Sequence, residues 1–251
     1  MKITVRIFLL EAGKLLVFPS LIFIWRDIMD NEARIHSGEI YAPEDPKIMK
    51  KQVQATLPMY EYNRTLPTEG QKRQELLKKM FAEVGHDCYI EPPFHANWGG
   101  HHIKLGNYVY ANFNLTIADD TYVTIGDHTL IGPNVTMSSA AHPILPELRE
   151  KGYQFNAPIT IGKNCWLGAG VVIVPGVTIG DNSVIGAGAV VTRDIPANVV
   201  AMGVPARVSR RISDRDRQFY YRDRRIDPDL LDKLDHSQSW HELLAVPLIY
   251  R

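Results

Sequence analysis

Between positions 161 and 191 an aliphatic side chain returns at every sixth residue: Ile161, Leu167, Ile173, Ile179, Ile185 and Val191. Four positions after each stands a small or β-branched residue, Cys165, Val171, Val177, Ser183, Ala189 and Ile195. These lie one strand period before the next aliphatic, so both point to one side. Small residues follow most of the aliphatics (Gly162, Gly168, Gly180, Gly186), and a turn is expected at each of these glycines. Short flat sides turned in this way predict a parallel β-helix of hexapeptides, whose stacked coils bury one continuous aliphatic column. A sandwich with similarly spaced turns would not keep six returns without a slip. The residue between two inward positions must face out, which selects Trp166, Val172, Thr178, Val184 and Val190. Four of these five are apolar, on one line of coils or on adjoining faces, and the pattern predicts that another copy of the chain covers them.

Upstream, the sixfold spacing begins near Ile90 with Leu105, Ala111, Ile117 and Val123, then restarts two residues late at Ile125 and Ile131. Residues 138–158 carry no hexapeptide pattern and contain His142, Pro143, Pro146, Gly152 and Pro158. That segment predicts a loop thrown out from a rigid prism, the kind of place where function concentrates. Ahead of the coils, residues 29–86 read as a small helical cap. Asp45 and Thr68 sit where N-caps belong, Pro46 at a first helical position and Gly85 at a stop. Leu76, Leu77, Met80, Phe81 and Val84 form its apolar stripe. The predicted organisation is therefore an extension over 1–28, the cap over 29–86, the β-helix over 87–206 and a basic helical tail over 207–251.

The extension is apolar from position 3 to 25 yet carries Arg6, Glu11 and Lys14, which a spanning helix would exclude. No small-residue cleavage pattern follows it. It reads as an extension ahead of a start at Met29 with no stable membrane association, a membrane anchor being the alternative. Lys and Arg number 28 against 28 Asp and Glu, so charge gives no reason to expect a nucleic-acid partner. The two cysteines, Cys88 and Cys165, read as packed thiols in a reducing compartment, the cytoplasm.

Candidate chemistry gathers around a few side chains. His142 stands in the one long excursion, before a stiffening proline, and fits either a surface histidine or a general base for a hydroxyl. Asn112 occupies a hexapeptide position usually held by Ala or Gly, where its carboxamide can serve an oxyanion or a substrate, or stack in an asparagine ladder. Asp120 fits an acceptor for hydroxyl donors or a turn aspartate. Arg193, Arg207 and Arg210 cluster after the last coil, where phosphates would be held. His95, His101 and His102 flank a Trp-Gly-Gly run, but the later repeats supply only His128 and His142 as further imidazoles. Pocket-lining or surface roles are favoured over a metal site.

Four separated motifs together resemble the maltose/galactoside O-acetyltransferases, which are hexapeptide-repeat acyltransferases. They are the run from Tyr110 to Asp120, the dipeptide His142-Pro143, the coil Cys165-Trp166-Leu167-Gly168 and the exit Gly203-Val204-Pro205-Ala206-Arg207. The resemblance spans about residues 29–221 and implies a left-handed coil, a homotrimer and transfer of acetyl from acetyl-CoA to a sugar hydroxyl. It implies His142 as the catalytic base and Tyr110, Asn112 and Asp120 on the acceptor side. Its cofactor contacts fall on Trp166, Ala169, Ala187, Thr192, Arg193, Arg207 and Arg210. Ala169 and Arg193 stand where the galactoside enzymes have serine and lysine, and Pro43 and Gln52 where they have an aspartate and an arginine on the sugar. A non-sugar acceptor (amine or serine hydroxyl) and a scaffold without catalysis are the alternatives.

Overall fold

A computed structural model describes residues 31–236. The expected extension over 1–28 and the last part of the tail lie outside the described residues.

The cap consists of α1 (Asn31–Arg34), α2 (Pro46–Tyr62) and α3 (Gly70–Met80). At the start of α2, the Asp45 carboxylate accepts from the Lys47 N–H at 2.9 Å, and Pro46 sits where no N–H is needed. The third helix is shorter than the apolar stripe predicts. Its N-cap is Glu69 rather than Thr68, and it ends at Met80. Glu83–Val84 already belongs to the first coil, paired in parallel with Lys104 and Leu105. Gly85 is set by that stacking, since a Cβ there would lie 2.4 Å from the Gly106 carbonyl oxygen. Met59, Tyr62, Leu76, Leu77 and Met80 join the coil residues in a single core, so the cap closes the open end of the aliphatic column. The Asn63 amide meets both backbone groups of Phe94, at 2.7 and 2.8 Å, pairing the edge of the terminal strand.

The coils form a three-sided parallel β-helix. One face holds Glu83–Val84, Ile103–Leu105, Val123–Ile125, Ile159–Ile161 and Thr178–Ile179 in that order. The second runs Tyr89–Ile90, Tyr110–Ala111, Leu130–Ile131, Trp166–Leu167, Val184–Ile185 and Val199–Met202. The third runs Phe94–Ala96, Leu115–Ala118, Thr136–Ser138, Val172–Ile173 and Val190–Val191. Both inward sets of the hexapeptide are buried as their spacing requires, Cys165 and Ser183 included. Cys88 and Cys165 are free thiols. Removing a side chain such as Leu167 from this column would cost about 2–5 kcal/mol.

The glycines after the aliphatics are not where the chain turns into the left-handed region. A Cβ at Gly162 would lie 2.3 Å from the Asp181 carboxylate, and one at Gly180 2.4 Å from the Ala197 nitrogen, so they give clearance between coils. Positive φ falls two residues later, at Asn164, Gly170, Gly176, Asn182 and Gly188. Asn and Gly tolerate that region best.

The late restart of the period has a local cause. Leu105 pairs with Ile125, twenty residues on, whereas Ile161 pairs with Ile179, eighteen on. The longer coil carries its extra residues at the corner around Asp119 and Asp120. Residues 138–158 leave the prism at the equivalent corner. Ala140–Ala141 and Phe155–Asn156 pair antiparallel at the base of this excursion, and α4 (Pro146–Arg149) lies at its tip.

One expectation is corrected. The basic tail does not begin as a helix: Arg207–Arg211 is a strand antiparallel to Val199–Met202. The last coil of the second face has an open edge, and pairing its backbone outweighs helical patterning. A hairpin of Phe219–Tyr221 with Arg224–Arg225 follows, and only α5 (Pro228–His236) is helical over a length of turns. Of the two arrangements expected for the outward residues, the structure shows the second, on adjoining faces. Trp166 and Val184 lie on the second face, Val172 and Val190 on the third, Thr178 on the first. What does line up is the outer side of the second face, with Tyr89, Tyr110, Leu130, Trp166, Val184 and Val200 in register. Leu130 and Trp166 are exposed there at 49% and 55%. Among the described residues no helix is long and apolar enough to cross a membrane.

Candidate active site

The excursion delivers His142 just after its short strand, with the side chain exposed and Pro143 buried behind it. The imidazole Nδ1 lies 2.8 Å from the Tyr153 carbonyl oxygen on the returning limb. A carbonyl only accepts, so in the neutral ring Nδ1 carries the proton and Nε2 the lone pair.

The same edge of the prism, between the third and first faces, carries two consecutive aspartates. Asp120 is buried, with Oδ2 accepting from Asn97 Nδ2 at 2.9 Å. Asp119 is fully buried and accepts from the Trp98 and Gly100 N–H groups at 2.6 and 3.0 Å, which pins the preceding corner. Burial pushes its carboxyl up to about 7, against the pull of the Trp98 and His102 N–H groups. His102 packs beside it and donates from Nδ1 to the Asp119 carbonyl at 2.7 Å. Burial pulls His102 down to about 4, which keeps it neutral.

His101 and His102 line a cavity of about 1250 Å³ together with His36, Trp98, Ile48 and Lys51. None of the expected site residues lines it. Among the described residues no group of three or more His, Cys, Asp or Glu is arranged to hold a metal ion.

Asn112 lies on the next edge, between the second and third faces, and Tyr110 on the second face just before it. Asn112 is half-buried, and its Oδ1 accepts from the Phe113 N–H at 2.8 Å. Asparagine ladders do exist, but on the outside: Asn114 with Asn134 at 3.0 Å, and Asn164 with Asn182 at 3.1 Å. Tyr110 faces out and stacks on Tyr89 at 6.3 Å between centroids.

Ala169 and Ala187 occupy the same corner as Asn112 in later coils and are joined by the Gly188 N–H to Ala169 carbonyl bond of 2.8 Å. Both are exposed, as are Trp166, Thr192, Arg193, Arg207 and Arg210. Thr192 and Arg193 turn the corner on the edge of His142, a whole face away from the two alanines. Arg207 and Arg210 pair with Met202 and Val200 at the end of the second face. The Arg210 guanidinium grips Asp216 with two bonds of 2.7 and 2.8 Å, which holds that carboxyl down at about 2. Among the described residues no hydrogen bond joins His142 to Asn112, Asp120 or the alanine corner. The expected residues thus divide between the edge of His142 and a second set on the neighbouring edge and the second face.

Sequence reasoning missed Tyr41, Asn97, Asp119, Gln154 and Asn156. The pairing of Asn97 with Asp120 had no sequence signal, while the doublet Asp119-Asp120 at the break in period was a visible one.

The fold is a hexapeptide-repeat β-helix closed at one end by a helical cap. The sequence matches the bacterial transferase hexapeptide (six repeats) over residues 158–193 and the maltose acetyltransferase hexapeptide capping motif over residues 34–85. It is 49% identical to the galactoside O-acetyltransferase of Lactococcus lactis subsp. lactis (strain IL1403) over 201 residues, 80% of this chain and 97% of that protein. It is 51% identical to the galactoside O-acetyltransferase of Escherichia coli (strain K12) over 194 residues, 77% and 95% of the two chains. A solved galactoside acetyltransferase in complex with coenzyme A superposes with a TM-score of 0.77 at 50% identity, covering 79% of this chain and 99% of that one. The chain belongs to the family of the maltose and galactoside O-acetyltransferases.

Proposed function

We propose that the protein is an acetyl-CoA-dependent O-acetyltransferase acting on a sugar hydroxyl of the maltose, glucose or galactoside kind, with His142 as general base. The observation that carries this reading is the bond from His142 Nδ1 to the Tyr153 carbonyl, which leaves Nε2 as an exposed base on a braced loop. The family and the coenzyme A complex of its solved relative support acetyl-CoA as co-substrate.

In the reaction, Nε2 takes the proton of the sugar hydroxyl as that oxygen attacks the thioester carbonyl. The C–S bond then breaks, and the proton passes from the imidazolium to the departing thiolate. Asn112 has its Oδ1 occupied by Phe113, so its Nδ2 is the end that donates to the oxyanion or to the sugar. Asp120, braced by Asn97, accepts from sugar hydroxyls, and Tyr110 flanks the acceptor. Trp166, Ala169, Ala187 and Thr192 contact the pantetheine arm, while Arg193, Arg207 and Arg210 serve the phosphates.

The division of these residues between the edge of His142 and the neighbouring edge and face supports a site completed by a second copy, and the apolar outer column of the second face supports a homotrimer that provides it. Two buried free thiols fit the reducing cytoplasm. The test is turnover of purified protein with acetyl-CoA and a panel of sugars, following released thiol. A thiol release that requires a sugar supports the reading, whereas release only with amines overturns it.

A further inference from the structure

Tyr41 belongs to the cap, yet its closest polar partners lie in the returning limb of the excursion. Its backbone pairs with Gln154 in both directions, with N···O distances of 2.9 and 3.0 Å. Its phenol oxygen accepts from Gln154 Nε2 at 2.8 Å and from Asn156 Nδ2 at 3.0 Å. Gln154 Nε2 also reaches Asn156 Oδ1 at 2.9 Å, and Asn156 Nδ2 reaches the Ile35 carbonyl of the cap at 2.9 Å. Tyr41, Gln154 and Asn156 are 3%, 8% and 2% exposed, so water cannot replace these bonds. Burial also pushes the Tyr41 hydroxyl up to about 12, so the phenol stays neutral.

The limb gripped in this way is the one that orients His142. Gln154 follows directly on Tyr153, whose carbonyl receives Nδ1. Asn156 pairs with Ala140, two residues before His142, so it ties the outgoing strand to the same knot. Its Nδ2 also approaches the carbonyl of Asp120 at 3.4 Å. One phenol from the cap therefore fixes both limbs of the excursion against the coil corner that bears the acceptor-side aspartate.

We propose that Tyr41 is a positioning residue for His142, its hydroxyl bracing the limb whose Tyr153 carbonyl sets the imidazole. The proposal rests on the reading of His142 as base. It gives the cap a part in catalysis besides closing the core, because bases must be held within a fraction of an ångström of their proton. Replacing the hydroxyl by hydrogen leaves the ring packed against Ile35, Ile48 and Trp98 but strips two buried amides of an acceptor.

The experiment compares Tyr41→Phe with the parent, in the full chain, by steady-state kinetics with acetyl-CoA and the sugar that the parent turns over best. Nitrogen NMR of the His142 ring follows its tautomer. The expected result is a fall in kcat of about 10- to 100-fold, a Michaelis constant for acetyl-CoA within about twofold of the parent, and a mixture of tautomers in place of Nδ1–H alone. Should that variant not fold, Gln154→Leu removes that side chain's bonds to Tyr41 and Asn156, leaves the Asn156 bond to Tyr41 in place, and is expected to change kcat and tautomer in the same direction. A folded variant with parental kcat and a single tautomer overturns the proposal. So does a further loss of the same size when Tyr41→Phe is added to His142→Ala, since Tyr41 would then act on something else. Parental turnover in His142→Ala alone would instead remove the base on which the proposal rests.

Discussion

His142 Nδ1 and the Tyr153 carbonyl face each other at 2.8 Å across the two limbs of one excursion. The contact costs the fold little if lost, because His142 is exposed, but it decides which ring nitrogen is free. His142→Ala should therefore keep its far-ultraviolet dichroism and melting behaviour while kcat falls by about 10²–10⁴. Activity within about threefold of the parent would take His142 out of the mechanism.

Arg207 and Arg210 lie on the strand that finishes the second face, with the Arg210 guanidinium steadied by Asp216. Changing both to Ala should raise the Michaelis constant for acetyl-CoA more than that for the sugar, because only the cofactor carries phosphates. Equal increases for both substrates would assign the pair to folding instead.

The pH dependence of stability should carry the mark of His102. Its pKa in the folded chain is about 4, against 6.5 for the ordinary group, so below 6.5 the unfolded chain binds a proton that the folded chain refuses. This destabilises the protein progressively as pH falls from 6.5 through 4. Asp119 works the other way, since a folded pKa of about 7 makes the folded chain hold the extra proton in that range. In His102→Gln only the first effect is removed. Chemical denaturation at a series of pH values should show the variant gaining on the parent as the solution is acidified. A constant difference across the range would mean that His102 is not held neutral by burial.

Leu130 stands in the outer column of the second face, 49% exposed between Tyr110 and Trp166. An apolar run of this kind calls for a partner surface. Leu130→Glu should lower the mass measured by light scattering at micromolar concentration and reduce activity with it. A parent protein that is monomeric and fully active would refute both the docking face and the shared site.

The period of six made the prism legible because burial repeats with it: Leu167, Ile173, Ile179 and Ile185 could face nowhere but inward. The excursion holding His142 was legible as the place where that period stops. Other features follow from needs that no local pattern encodes. The left-handed corners at Asn164 and Asn182 come two residues after the glycines that drew attention, because those glycines answer to the coil beneath them. Arg207–Arg211 reads as the start of a basic helical tail but is drawn into a strand by an unpaired sheet edge. The bond between Gln154 and Tyr41 spans 113 residues, and neither residue stands out in its own stretch of sequence.

The central claim is that acetyl passes from acetyl-CoA to a sugar oxygen through His142. Mass spectrometry of the products formed from acetyl-CoA and a sugar panel, by the parent and by His142→Ala side by side, tests it most directly. The account predicts a base-labile sugar ester with the parent, in step with thiol release, and a loss of that ester of about 10²–10⁴ with the variant. An amide product, or equal ester formation by both proteins, would contradict it.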